Sequence, residues 1–130
     1  MGIALPRPKI EIVESVKKCI DNPSISCCSR GFFNTIVLLW HLVHTEGWLT
    51  TKELCKKVKS KNCNKTRVYL YKLKKKNIVI TSKIYSGETI WKINDKVLKG
   101  LDRSDFLNLL VLHYKMCKEY YKSGNLKKPE

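Results

Sequence analysis

The sequence predicts one mainly α-helical domain that carries a single small β-hairpin. The chain has 130 residues, of which 43% are hydrophobic, and this is enough to form one hydrophobic core. Apolar residues recur at steps of three and four in several segments, which is typical of amphipathic helices. One stretch instead has β-branched residues on both sides of Ser86-Gly87-Glu88, which is typical of two strands joined by a tight turn.

Each element follows from this periodicity and from the residues that start and stop helices. Thr50 and Glu53 have the spacing of a capping box, which starts a helix, and Gly47 and Asn77 stand where helices close. The predicted elements are helices over residues 9–20, 32–45, 51–60, 65–76 and 103–122, a stub strand at Trp48-Leu49, strands over Ile78–Tyr85 and Thr89–Asn94, and a short helical segment over residues 95–100.

The chain is strongly basic, and its charge is concentrated in one region. Its 26 basic and 11 acidic residues give a net charge of +15. Twelve of the basic residues, but only one acid, Glu53, lie between Lys52 and Lys83. This local excess favours nucleic acid as a partner over a solvated lysine face, which normally mixes both signs. Since the sequence has no phosphate-binding loop, zinc-protease motif or nucleophile elbow, we expect no enzymatic activity.

The sequence gives no reason to expect secretion or a membrane span. Its first residues lack the apolar region of a secretory leader. The longest apolar run, Ile36–Trp40, is far shorter than the ~18 to 20 residues that cross a bilayer. We therefore expect a cytoplasmic protein with no membrane partner.

The chain has six cysteines, which could be free thiols, disulfides or metal ligands. For an intracellular protein we expect partly buried thiols outside any disulfide, with a Cys55–Cys63 disulfide as the alternative. The cysteine spacings match no zinc template, and His41 and His44 have no acidic or cysteine partner that spacing dictates. The sequence therefore predicts no metal and no cofactor. The six cysteines are Cys19, Cys27, Cys28, Cys55, Cys63 and Cys117.

Three segments resemble parts of the winged helix-turn-helix domain. EGWLTTKEL (46–54) is similar to the start of the second helix of that family. LYKLKKKNIVI (70–80) is similar to the end of its recognition helix, although Asn77 stands in place of the usual Gly. GETIWKIND (87–95) resembles the returning strand of its wing. The resemblance implies a winged helix-turn-helix domain over residues 30–100.

The resemblance leaves an N-terminal helix and loop (1–29) and a C-terminal helix with a basic tail (101–130). This last helix is similar to those of MarR and PadR regulators, which dimerise. It is apolar over more than one stripe, which favours a partner, although packing the first helix within the monomer would use part of this surface. The predicted dimer interface consists of Phe106, Leu109, Leu110, Tyr114, Cys117 and Tyr121.

Helical spacing selects the side chains that would contact DNA. If Leu70 and Leu73 face the core, Val68 and Tyr71 turn outward with the lysines around them. Lysines suit phosphates, while amide, phenol and small apolar groups suit base edges. The hairpin would supply a second contact, and a hairpin that is merely soluble is equally compatible with its sequence. The predicted DNA-binding residues are Asn64, Lys65, Arg67, Val68, Tyr71, Lys72, Lys75, Lys83 and Lys92.

Together these features predict sequence-specific binding of double-stranded DNA by a homodimeric transcriptional regulator. The helix over residues 64–76 would lie in the major groove, and the wing over residues 78–94 on the backbone or in the minor groove. The alternative is a winged-helix interaction module of a replication or transcription complex, with non-specific DNA contact or none. RNA binding is favoured less, because RNA-stacking modules expose aromatic residues on a sheet. The sequence identifies no operator and no small-molecule or protein effector.

Overall fold

The structure, a computed structural model, describes residues 6–9, 11–24, 28–98 and 100–122, except the side chains of Arg30 and Tyr121. The described chain is mainly helical and has one three-stranded antiparallel sheet, so the mainly α prediction with a small hairpin is confirmed. In chain order, the elements are α1 (Ile12–Asp21), α2 (Arg30–His44), β1 (Leu49–Thr50), α3 (Thr51–Lys57), α4 (Cys63–Lys75), β2 (Val79–Lys83), β3 (Thr89–Ile93), a 3-10 turn (Asp95–Leu98) and α5 (Arg103–Lys122).

The predicted capping box and the closing residue Asn77 are confirmed, whereas Gly47 does not close α2, which ends at His44 with Thr45 as an extended cap. The Thr50 hydroxyl accepts from the Glu53 backbone N–H at 3.1 Å, and the Glu53 carboxylate accepts from the Thr50 N–H at 3.0 Å, which completes the capping box. Asn77 follows α4 in the left-handed conformation, at φ +59°. The α3 helix is shorter than predicted, because a turn with Lys59 at φ +54° follows it.

The sheet joins the hairpin to the segment before α3. Its strand order is β1-β3-β2, so β3 pairs with both neighbours. Trp91 lies opposite Leu49 on one side and Thr81 on the other. The predicted stub strand therefore exists because β3 offers it a hydrogen-bonding edge, one residue later than the sequence indicated.

Trp91 is the largest side chain at the centre of the core. It is completely buried, and its indole Nε1–H donates to the Thr51 hydroxyl at 2.9 Å, which satisfies the polar end of the ring. Leu54 from α3, Leu70 from α4 and Ile36 from α2 belong to the same buried cluster. The core therefore fixes α3 and α4 against the sheet.

The α5 helix packs against α1 and α2 of the same chain. Phe106, Leu110 and Cys117 are at most 1% exposed, so they belong to the interior of the monomer. Their predicted role in a dimer interface is therefore corrected: α1 and α2 cover the stripe, as the alternative interpretation allowed.

The remaining surface of α5 is still partly apolar. Of the other predicted interface residues, Leu109 and Tyr114 are partly exposed, and the side chain of Tyr121 lies outside the described residues. Val111 and Leu112 are 37% and 50% exposed. Dimerisation itself stays a prediction, and Leu109, Val111, Leu112 and Tyr114 are among the apolar positions of α5 that a second copy could contact.

Candidate nucleic-acid interface

One side of α4 is buried, and the opposite side forms an exposed basic face. Thr66, Leu70 and Leu73 point into the protein, at no more than 4% exposure. Because a helix turns 100° per residue, the positions between them turn outward. The exposed residues of this basic face include Asn64, Lys65, Arg67, Val68, Tyr71, Lys72 and Lys75.

These seven residues are the ones that the sequence predicted for the recognition helix. Their exposure on α4 agrees with the predicted orientation, and their contact with DNA stays a prediction. The helix begins earlier than predicted, at Cys63, because the Asn62 side chain accepts from the Asn64 backbone N–H at 3.0 Å and caps it. Asn64 and Lys65 consequently lie in the first turn, at the end of α4 where backbone N–H groups are unpaired.

Tyr71 is held in place although it is 46% exposed. Its ring meets the ring of Trp91 edge to face, with centroids 5.3 Å apart and an interplanar angle of 86°. Trp91 is in turn fixed by its hydrogen bond to Thr51. A ring fixed in this way loses little conformational entropy when its exposed part contacts a ligand. Tyr71 is therefore preorganised on the basic face.

A groove of about 370 Å³ separates α4 from the hairpin. Arg67 and Tyr71 form its α4 side, and Lys52 lines it from α3. Gly87 and Glu88 line it from the hairpin turn, where Gly87 has φ +84°. The sequence did not assign Lys52 to the interface, although the charge count included it. Its capping-box position, two residues after Thr50, was the available signal.

The hairpin contributes unevenly to this surface. Lys83 is exposed at the end of β2, and Tyr85 in the turn is fully exposed. Lys92 is half-buried, with its Nζ 5.9 Å from the ring centroid of Trp48. Because neighbouring side chains on a strand point to opposite faces, Lys92 lies on the other face of the sheet from Trp91. The structure thus separates Lys92 from the α4 residues with which the sequence grouped it.

Tyr85 is the second residue that the sequence prediction left out. Apolar or aromatic side chains at the tip of a solvated hairpin have no role in the core of a monomer. Ile84, beside it, is 43% exposed. The sequence does show an aromatic residue in the predicted turn after Lys83, and this was the available signal of contact with a partner.

The basic face has no internal neutralisation. Within the described part of the chain, the ion pairs join Lys17 to Glu14, Arg103 to Asp95 and Lys122 to Glu119. Each of these pairs lies outside the segment from Lys52 to Lys83. The positive charge of this segment is therefore available to an anionic partner.

A disulfide joins the two helices behind this face. Cys55, near the end of α3, is bonded to Cys63, the first residue of α4. The expectation of thiols outside any disulfide is wrong for this pair, for which the alternative is confirmed, and it is also wrong for Cys19, which is disulfide-bonded. The bond closes the turn over residues 56–62 and limits how far α4 can move relative to α3.

The histidine pair of α2 lies apart from the basic face. The His44 ring stacks on Trp40 with centroids 4.6 Å apart. Burial, followed by the charge of Lys57 and the proximity of His44, lowers the pKa of His41. Neither histidine belongs to the cluster of three possible metal ligands found among the described residues. We assign no site to them.

No protein-family model, curated protein or solved structure matches this chain. None of the helices in the described ranges combines the length and the apolar composition needed to cross a bilayer. Functional inference for this chain therefore rests on its own geometry and charge.

Proposed function

We propose that this chain is a winged helix-turn-helix protein and that it binds double-stranded DNA. The order α2-β1-α3-α4-β2-β3, with β3 between β1 and β2 in the sheet, supports the fold assignment. In this proposal α4 is the recognition helix and the β2–β3 hairpin is the wing. The flanking α1 and α5 are additions to the domain.

The observation that carries the proposal is the basic face of α4. The helix contains five basic residues and no acidic one. The major groove of B-DNA is wide enough to admit an α-helix. Lys65, Lys72 and Lys75 are suited to phosphates, while the exposed amide of Asn64 and the fixed ring of Tyr71 are suited to base edges.

The groove beside α4 supports a second contact. Lys52 and Arg67 line it, and Lys83 and Tyr85 are exposed on the hairpin next to it. In the proposed complex these side chains follow the DNA backbone where it leaves the major groove. Lys92 takes a smaller part, because it lies on the other face of the sheet.

We further propose that the protein acts as a homodimeric transcriptional regulator. One recognition helix reads only a few base pairs, and a twofold dimer would double the contacts and require a pseudo-palindromic site. Since Phe106, Leu110 and Cys117 are buried, the twofold contact would use the exposed positions Val111 and Leu112. Light scattering measures the oligomeric state. A monomer at tens of micromolar would contradict the proposed homodimer and favour a winged-helix module in a larger complex.

Salt dependence tests the proposed DNA binding. Fluorescence anisotropy with a random 20-base-pair duplex should give affinities that fall by roughly 10³-fold between 50 and 200 mM salt, for about six neutralised phosphates. The double variant Lys72→Ala/Lys75→Ala should bind more weakly and with a shallower salt slope. Lys18→Ala is the matched control, because Lys18 is an exposed lysine in the last turn of α1. Absence of duplex binding at 50 mM salt, or a flat salt response, would overturn the proposal.

Selection from a random duplex library separates regulation from non-specific binding. A regulator should enrich one sequence motif arranged as two half-sites about 34–36 Å apart, or a multiple of that distance. If the library remains random after selection while binding stays salt-dependent, the proposal of DNA binding stands and the proposal of sequence-specific regulation is contradicted.

A further inference from the structure

A second cluster of chemically capable side chains lies in the interior, away from α4. Three cysteines and one histidine meet where α1, the start of α2 and α5 converge. Cys19, Cys28, Cys117 and His113 are each at most 1% exposed. Apolar and aromatic side chains surround the cysteines, among them Phe33, Met116 and Tyr120. We refer to the four residues as the thiol–imidazole cluster.

The atoms of the cluster are spaced like the ligands of one metal ion. The Sγ atoms of Cys19 and Cys28 are 3.6 Å apart, and those of Cys28 and Cys117 are 3.0 Å apart. His113 Nε2 lies 3.2 Å from the Cys19 Sγ and 3.6 Å from the Cys117 Sγ. The three sulfur atoms all lie within 4.8 Å of one another.

These distances can be compared with a tetrahedral zinc site. With Zn–S of about 2.3 Å and Zn–N of about 2.0–2.1 Å, neighbouring sulfurs are about 3.8 Å apart and sulfur and nitrogen about 3.6 Å apart. The cluster is therefore more compact than an occupied site, by about 0.8 Å between the sulfurs of Cys28 and Cys117 and by about 0.4 Å between His113 Nε2 and the Cys19 Sγ. Binding of an ion requires these side chains to move apart by that amount.

The composition of the cluster also favours a metal. Buried polar groups are normally paired with strong partners, whereas thiols are weak donors and acceptors. The sulfur atoms of Cys19 and Cys117 both lie beside one imidazole, and the Cys28 Sγ lies against the Cys117 Sγ. Three cysteines and a histidine form one of the standard ligand sets of structural zinc sites.

The orientation of the histidine fits this role. Nε2, not Nδ1, is the ring atom nearest to both Cys19 and Cys117, since Nδ1 lies 3.8 Å from the Cys117 Sγ. The ring of Phe32 meets the imidazole edge to face, with centroids 5.3 Å apart. His113 is therefore held with Nε2 beside the sulfurs of Cys19 and Cys117.

The redox state of Cys19 decides when an ion can bind. Cys19 is disulfide-bonded in this structure, and a disulfide sulfur is not a thiolate ligand. Reduction by a dithiol breaks the S–S bond, delivers two electrons and two protons, and leaves the dithiol as its own disulfide. Binding of Zn²⁺ then releases one proton from each of three thiols, while His113 binds as the neutral imidazole.

We propose that Cys19, Cys28, His113 and Cys117 of the reduced protein bind one Zn²⁺ ion as a closed structural site. The ion joins α1, the segment before α2 and α5, which are far apart in the sequence. With four protein ligands the site has no open position for a substrate. It acts on the stability of the helices that flank the basic region, and the inference does not depend on DNA binding.

Metal content of the reduced full-length chain tests the proposal. The protein is reduced with a trialkylphosphine, which becomes the phosphine oxide, then given Zn²⁺ and dialysed into metal-free buffer. Elemental analysis should give one zinc per chain. Substitution by Co²⁺ should give the intense visible absorption of a tetrahedral cobalt–thiolate site, and added Zn²⁺ should abolish it.

Variants locate the ion. His113→Ala and Cys117→Ser should each lose the bound zinc and the cobalt spectrum, whereas the matched control Cys55→Ser/Cys63→Ser should keep both. A metal-free reduced protein that is folded by circular dichroism would overturn the proposal. So would a cobalt spectrum that the double control abolishes. If the cluster variants fail to fold, the zinc content per chain and the cobalt spectrum of the unchanged protein still test the proposal.

Discussion

The basic face of α4 and the thiol–imidazole cluster differ in almost every physical respect. The first is exposed and formed by neighbours in the sequence, and its like charges repel one another. The second is buried, and burial, followed by the hydrogen bond to Cys28, raises the pKa of the Cys117 thiol. It brings together Cys19 and His113, which are 94 positions apart in the sequence.

The two regions therefore contribute differently to stability and to binding. The basic face contributes little to stability and gains favourable interactions only when an external anion neutralises it. The cluster contributes to the packing of α1, the segment before α2, and α5, and a cation inside it would strengthen that packing. Changes in one region should therefore alter binding, and changes in the other should alter stability.

The largest expected effect is on the main hydrophobic core, which contains Leu70 of α4 and Phe106 of α5. Phe106→Ala should lower the free energy of unfolding by about 3–5 kcal/mol, because it removes a buried aromatic side chain and leaves a cavity. Urea denaturation measures this loss, which should not change with protein concentration. A loss that disappears on dilution would return Phe106 to a dimer interface.

The disulfide behind the basic face should have the next largest effect. Cys55→Ser/Cys63→Ser should lower the free energy of unfolding by about 2.5 kcal/mol, since the bond restricts a loop of eight residues in the unfolded chain. Thermal unfolding under non-reducing conditions measures it. If the double variant is as stable as the unchanged protein, the disulfide has no role in holding α3 to α4.

Tyr71 should affect recognition more than stability. Tyr71→Ala should reduce the discrimination between the selected DNA site and random duplex by about 1–2 kcal/mol, the amount that a good base contact supplies. Competition binding with both duplexes measures the ratio. Tyr71→Phe is the matched variant, because it keeps the ring against Trp91 and removes only the hydroxyl. An equal loss of affinity for both duplexes would assign Tyr71 to the backbone.

The parts of the fold that depend on nearby residues were predictable. Thr50 and Glu53 form a capping box through contacts three residues apart, and Asn77 closes α4 through its own backbone conformation. The exposed side of α4 follows from the spacing of Leu70 and Leu73. In each case a short stretch of sequence contains all the groups that interact.

The parts that depend on distant contacts were not predictable from spacing. The apolar surface of α5 looked available for a partner, because the sequence does not show that α1 and α2 cover Phe106 and Leu110. Cysteine spacing likewise fails for Cys19 and Cys117, since only the packing of α1 on α5 brings them together. Predicting the face of the sheet on which Lys92 lies would have required the position of the sheet relative to α4.

Mapping the DNA contact by NMR tests the central claim most directly. Backbone amide chemical shifts of the protein are recorded while duplex DNA is added. The protein can be reduced or oxidised, and the duplex can be the selected site or a random sequence. The account predicts that the largest changes fall on residues 63–75 and on the hairpin around Lys83 and Tyr85, with little change in α1 and α5. Changes centred on α1 and α5, or no changes at low salt, would contradict it.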